Sequence, residues 1–175
     1  MSGFSLSAPD NDSYMLRGPT PRAACGTCGL PLDRDWIEPH FQLNRRDLDV
    51  SYTYDGYLIG SEKFRTATRA GGARFVNLPS APGFYSVRVD AVVKFDAVRR
   101  QTTFEDLCPE CGRYRTVAGA LPVFLLPGES IPPDRLVRTD IEFGSGAEQH
   151  PIVLVGSELA KALAPLSGVA LKPSP

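Results

Sequence analysis

The residues of this chain best suited to chemistry are four cysteines in two pairs, Cys25-Gly-Thr-Cys28 and Cys108-Pro-Glu-Cys111. Glycine follows each pair at once, as Gly29 and Gly112. Two intervening residues let both sulfurs of a pair reach one ion, and four thiolates satisfy the tetrahedral geometry and the softness of zinc. A glycine after the second cysteine takes positive φ without a Cβ clash, so the turn folds back and offers N–H groups to sulfur. The spacing predicts one zinc per chain, held by Cys25, Cys28, Cys108 and Cys111. About 80 residues separate the pairs, where a common zinc ribbon has about 15–20. Such a metal staples two distant parts of the chain, and closing a long loop is where a cross-link constrains the unfolded state most. Four thiolates leave no coordination position open, so the site reads as structural. A redox dithiol, disulfides and an iron–sulfur site are the other chemistries open to paired cysteines. Neither pair opens a helix after a clear strand, as a redox pair would, and an intracellular setting disfavours disulfides.

Elsewhere no catalytic set assembles. The two histidines, His40 and His150, each adjoin a proline, Pro39 and Pro151, which places them in loops. A lone loop histidine lacks the partners that general acid–base work needs. Ser157 follows a glycine, but Glu158 and Leu159 break the Gly-x-Ser-x-Gly form of a nucleophile elbow. Phe143-Gly-Ser-Gly lacks the Gly-Lys-Ser of a phosphate loop. Asp33 and Asp35 flank Arg34, which reads as a charged turn. The expectation is a protein that is not an enzyme.

Two similar segments follow the cysteine pairs in the chain. Gly56-Tyr-Leu-Ile-Gly-Ser-Glu-Lys-Phe leads to Gly71-Gly-Ala-Arg-Phe-Val-Asn-Leu-Pro79, and Pro151-Ile-Val-Leu-Val-Gly-Ser-Glu-Leu leads to Gly168-Val-Ala-Leu-Lys-Pro173. Both run apolar strand, Gly-Ser-Glu, helix, glycine, strand, proline. Ser61 and Ser157 are predicted N-caps, with Glu62 and Glu158 near the positive end of the helix dipole. Leu159, Ala162, Leu163 and Leu166 have helical spacing, and Phe64, Ala67 and Thr68 repeat it more weakly. Gly71 and Gly168 read as helix stops, followed by strands 74–78 and 169–172. An internal duplication into halves 22–80 and 105–173 is one reading of this echo, and coincidence in a short pattern is the other.

Between these segments, Tyr85, Val87 and Val89 alternate, as do Leu48, Val50 and Tyr52, and 136–143 is a further strand. Residues 127–133 read as a loop, and the tail 172–175 as loose. Gly and Pro number 16 each among 175 residues, well above the roughly 12% average for the two together. Frequent turns exclude a protein of long helices. The expectation is one domain over 1–175, an α+β fold with a mainly antiparallel sheet, two or three helices and zinc knuckles built from the four cysteines.

Charge narrows the function classes. Lys plus Arg is 19 and Asp plus Glu is 20, a net charge of −1, whereas nucleic-acid binders usually carry a basic excess. Arg45-Arg46, Arg99-Arg100 and Arg113-Tyr-Arg115 are locally basic, but Asp47, Asp49, Glu105, Asp106 and Glu110 lie among them. Mixed charge of this kind is usually a solvated surface. A zinc-ribbon-like module that binds nucleic acid or serves transcription is the alternative function. No apolar run approaches the length of a membrane helix, and the first 20 residues lack a secretory pattern. The expected compartment is the cytoplasm.

Two widely separated Cys-x-x-Cys-Gly motifs, followed by a terminal strand, a Gly-Ser-Glu helix and a Gly-Val-Ala-Leu strand, resemble the double Cys-x-x-Cys-Gly motif proteins of myxobacteria. The matching parts are Cys25–Gly29, Cys108–Gly112 and Ile152–Lys172. Some members of that family are immunity proteins against contact-dependent swarming-inhibition toxins. The resemblance implies a non-enzymatic protein that binds and neutralises a cognate protein toxin, with the four cysteines as zinc ligands. A basic toxin would want an acidic patch, and Asp33, Asp35, Glu38, Asp47 and Asp49 form one acidic stretch, interrupted by Arg34, Arg45 and Arg46.

Overall fold

Alternating apolar residues build two sheets that face each other across a shared core. The computed structural model describes residues 3–16, 23–69 and 71–174. Residue 22, at the start of the first expected half, and Pro175, at the end of the expected loose tail, lie outside them. In chain order the elements are β1 (Gly3–Ser7), β2 (Val50–Tyr52), β3 (Leu58–Ser61), α1 (Glu62–Ala67), β4 (Ala73–Asn77), β5 (Phe84–Val89) and β6 (Val92–Val93). There follow α2 (Ala97–Arg100), β7 (Thr103–Leu107), β8 (Tyr114–Ala118), β9 (Leu136–Ser145), β10 (His150–Val155), α3 (Ser157–Leu163) and β11 (Ala170–Ser174). One sheet has the order β2-β3-β5-β4; the other runs β11-β1-β10-β9-β8-β7, with β6 also paired to β9. The β6–β9 pairing is parallel and the rest are antiparallel. The fold is α+β and mainly antiparallel, with three α-helices among the described residues, as expected from the sequence. No described helix is long and apolar enough to cross a membrane.

Period-two alternation sends neighbouring side chains to opposite faces, and here both faces are covered. Leu58, Val87, Leu136, Val153 and Val155 face the central core, joined by Phe64 of α1 and by Leu159 and Leu163 of α3. Val137, Phe143 and Leu154 face a second core, closed by Val93, Phe95, Val123 and Ile131. On the outer face of the smaller sheet, Ile59 and Tyr57 pack with Met15, Phe41, Leu43 and Leu78 from the flanking loops.

The two similar segments have the same topology. β3 and β4 are parallel neighbours split by antiparallel β5, with α1 between them in the chain. β10 and β11 are likewise split by antiparallel β1, with α3 between them. The splitting strands, β5 and β1, lie outside the ranges 22–80 and 105–173, and the second comes from the far end of the chain. Contacts between the units are reciprocal. Leu136 N–H donates to the Gly71 carbonyl at 3.3 Å, and Val50 N–H donates to the Ser167 carbonyl at 3.1 Å. Next to these, Gly72 (φ 89°) and Gly168 (φ 83°) take left-handed backbone. A Cβ at Gly72 would run into the Leu136 carbonyl oxygen, and one at Gly168 into that of Val50. Each helix exit therefore lies against the strand that precedes the other unit in the chain, β9 for α1 and β2 for α3.

Several local expectations change. Ser61 caps α1 as predicted, its Oγ accepting from Lys63 N–H and Phe64 N–H. Ser157 does not cap α3; Gly156 holds that position with no side-chain bond, because a Cβ there would meet the Pro132 carbonyl. The buried face of α3 carries Leu159, Ala160 and Leu163, while Ala162 is exposed. The helices end at Thr68 and Ala164, before the predicted glycine stops. His150 and Pro151 lie in β10 rather than in a loop. The tail is strand β11 as far as Ser174, and Pro173 is tolerated because β11 is an edge strand.

Asp49 ties the units together beside this contact. Ser61 Oγ–H donates to Asp49 Oδ1 at 2.8 Å and Ser167 N–H to Oδ2 at 3.1 Å. Burial acts to raise the Asp49 carboxyl, but these bonds outweigh it and hold it below its usual value. The ionised form is then the one that folding favours, so this contribution is complete above the unfolded pKa and is lost as pH falls through the folded one. Asp49→Asn should cost about 1–2 kcal/mol at neutral pH. In urea melts the gap from the native chain should narrow below about pH 4.

Candidate metal centre

The two cysteine pairs form turns of the same construction. Cys25 N–H donates to the Leu30 carbonyl and Gly29 N–H to the Cys25 carbonyl, both at 2.8 Å. Cys108 N–H donates to the Arg113 carbonyl and Gly112 N–H to the Cys108 carbonyl, both at 2.9 Å. Gly29 and Gly112 close the turns at φ 74° and 66°. The predicted need for glycine after each second cysteine is met in both.

Different elements carry the two turns to one place. The first lies in the loop after residue 22, where Ala24 bridges Pro31. The second is the tip of the β7–β8 hairpin at the end of the larger sheet. Every residue of β7 is exposed, so this hairpin brings little core of its own to its tip. The turns meet pair against pair. Cys25 Sγ lies 3.9 Å from Cys108 Sγ, and Cys28 Sγ 3.6 Å from Cys111 Sγ. Thr27 Oγ–H donates to Glu110 Oε2 between them. All four sulfurs fall within 4.8 Å of one another, an arrangement that could hold a metal ion. Cys25 and Cys108 are buried; Cys28 and Cys111 are half-buried, and all four are free thiols.

The electrostatics of the group are uneven. Main-chain N–H groups of Cys111 and then Glu110 point at the Cys108 sulfur and lower its pKa to about 7 against the cost of burial. Burial pushes Cys28 up to about 12, with the Leu30 N–H opposing and the neighbouring sulfurs adding to the rise. The cluster accepts one negative charge readily. Further ionisation at such short range needs a cation to balance it.

Sequence reading missed the group that braces the turns from behind. Arg34 is not a free charged turn. Its Nη1 donates to the Asp55 carbonyl at 2.7 Å and its Nη2 to Glu142 Oε2 at 3.3 Å and to the Gln149 carbonyl, while the guanidinium lies over the Tyr57 ring. Arg113, two residues after Cys111, donates to the Pro31 carbonyl at 2.6 Å and to the same Glu142 oxygen at 2.5 Å. Glu142 thus joins the chain leaving one cysteine turn to the chain leaving the other. No spacing rule announces three residues so far apart. The one available signal is that an arginine follows each motif within a few positions. His40 is exposed, and its main-chain N–H donates to Glu38 Oε1 at 3.4 Å.

No family model, curated protein or solved structure matches the chain.

Open space surrounds the Cβ positions of Gly26 and Gly112, but only Gly112 has positive φ. Gly112→Ala should therefore lose about 1–2 kcal/mol, and Gly26→Ala less than about 0.5 kcal/mol. Denaturant midpoints of the two variants check this; equal midpoints would mean that the turn does not depend on left-handed backbone.

Proposed function

We propose that this protein is a zinc-stapled, non-enzymatic binding protein of the immunity type, which engages and neutralises a cognate protein toxin. The meeting of the four thiols carries the reading. Zinc–sulfur bonds of about 2.3 Å give a tetrahedron with S···S edges of about 3.8 Å. Two of the six edges, at 3.9 and 3.6 Å, fit that figure, the rest lie within 4.8 Å, and all are far from the roughly 2.05 Å of a disulfide. With thiolates at every position, zinc here supplies charge balance and a cross-link. The residues of this chain do the rest: the turn amides stabilise sulfur, and Glu142 holds the two exits together.

The binding part of the reading is supported by the surface next to the cluster. Among the described residues β7 pairs only with β8, so its outer edge is open. The hairpin exposes Phe104, Leu107 and Tyr114 at 39%, 56% and 39%. An open strand edge with apolar side chains beside it is what a protein partner covers. The basic clusters are mostly engaged within the chain: Arg113 with Glu142, Arg45 with Asp47, and Arg100 with the Leu121 carbonyl. That favours a protein partner over nucleic acid. The toxin itself enters through the resemblance of the two Cys-x-x-Cys-Gly motifs.

Protein purified without added zinc should contain close to one zinc per chain. Cys108→Ser should lose the metal and about 4.5 kcal/mol of stability, the entropic value for a cross-link closing a loop of this length. An unchanged melting temperature would refute the staple. For the toxin, proteins captured from the source cell are expressed singly, and one should arrest growth unless this chain is co-expressed. Absence of any toxic captured protein, or of protection, would sink the immunity reading and leave the zinc result standing.

A further inference from the structure

A cavity of about 370 Å³ opens between the two sheets, behind the braced exits of the cysteine turns. Its size suits a small metabolite. Its walls are of two kinds. Tyr52, Leu58, Val87 and Val153 supply apolar surface from both sheets. Arg34, Arg74, Arg88 and Arg138 supply guanidinium groups.

The arginines are not fully used. Arg88 comes from β5, in the middle of the smaller sheet, and its side chain is 10% exposed. Its Nε meets Asp35 at 3.2 Å, and Asp35 is itself 58% exposed. Arg88 Nη2 is buried with no hydrogen-bond partner, and so is Arg34 Nε, although both guanidinium groups lie over the Tyr57 ring, at 4.9 and 5.2 Å from its centre. Among the described residues Arg138 bonds only to main-chain oxygens, of Val89 at 3.0 Å and Thr139 at 3.2 Å. A buried guanidinium N–H left unpaired costs more than an ordinary lost hydrogen bond. The carboxylates of the wall do not meet this need. Asp90 is held by Arg74, Glu142 by Arg34 and Arg113, and Asp33 accepts from the Asp35 N–H. Arginine is suited to carboxylates because its planar fork matches them.

The geometry points to a binding site for a small carboxylate with an apolar body, its head on the Arg88 and Arg138 side chains that line the cavity and its body against Val87 and Val153. One negative charge suits this cavity better than two, because four carboxylates already offset the four guanidinium groups that line it. This site is separate from the toxin-binding reading and does not rest on it.

The test uses the full chain and three probes: hexanoate, hexanol and inorganic phosphate. Amide NMR should show saturable shifts at Val87–Val89, Arg138 and Val153 with hexanoate. Hexanol should bind roughly tenfold or more weakly, the value of a lost charge-assisted hydrogen bond. Arg88→Gln, checked for folding by circular dichroism, should weaken hexanoate by the same factor. If that variant does not fold, Arg138→Gln and the hexanoate–hexanol comparison on the native chain decide. No saturable shift at those amides with hexanoate would overturn the proposal. So would equal affinity for hexanol, which marks a merely apolar hole, or phosphate binding as tightly as hexanoate, which marks an inorganic-anion site.

Discussion

Four sulfurs drawn within 4.8 Å of one another are the constraint on which the rest of this structure turns. They come from loops far apart in sequence, and the second loop is the tip of a hairpin whose first strand is wholly exposed. Apolar burial alone gives that tip little reason to stay. What keeps it is a set of polar contacts of the same kind on both sides: matched turn hydrogen bonds, the Thr27–Glu110 contact and the bridge of Glu142 to Arg34 and Arg113. A cluster of ionisable thiols adds to this only when its charge is balanced, which a metal ion held by the four sulfurs could do.

The central core has a comparable logic. Each unit alone is a small split strand–helix–strand sheet, and such a sheet buries only part of the apolar surface that its chain exposes. Facing the two sheets and placing α1 and α3 in contact gives both an apolar floor. Main-chain contacts then lock the pair, with Gly72 against Leu136 and Gly168 against Val50. These close approaches forbid a side chain at either glycine. The supply of β1 from the start of the chain to split β10 from β11 also fastens the N-terminal segment to the C-terminal one.

What was legible in the sequence follows from range. The cysteine turns were legible because spacing and the following glycine are local requirements, and the structure shows both turns with that glycine in left-handed backbone. The strands of Tyr85–Val89 and Leu136–Phe143 were legible from alternation, and the cap at Ser61 from its own chemistry. The cap at Ser157 was not, because Pro132 and Pro133 crowd the preceding glycine from another part of the chain. His150 and Pro151 looked like loop residues by type. They are strand residues because β9 shifts register opposite them, and Thr139 Oγ1 accepts the Ile152 N–H there at 3.0 Å. Arg34 looked like a surface turn because nothing nearby in sequence shows that Asp55, Glu142 and Gln149 surround it.

Glu142 is where the cysteine cluster and the cavity meet. It lines the cavity, and it is the shared acceptor for the arginine that follows each cysteine turn. At 19% exposure its charge is only partly solvated, so it is stable there because both guanidinium groups are held close. If the turns separate, Arg113 leaves with the hairpin and Arg34 remains with the first loop. Glu142 then loses half of its compensation, and the wall that Arg34 and its neighbours form loses its anchor. Breaking one partner of a part-buried ion pair costs more than the pair contributes when intact. Opening the cysteine cluster therefore carries a penalty from these ion pairs, and the cavity depends on the same closure as the hairpin.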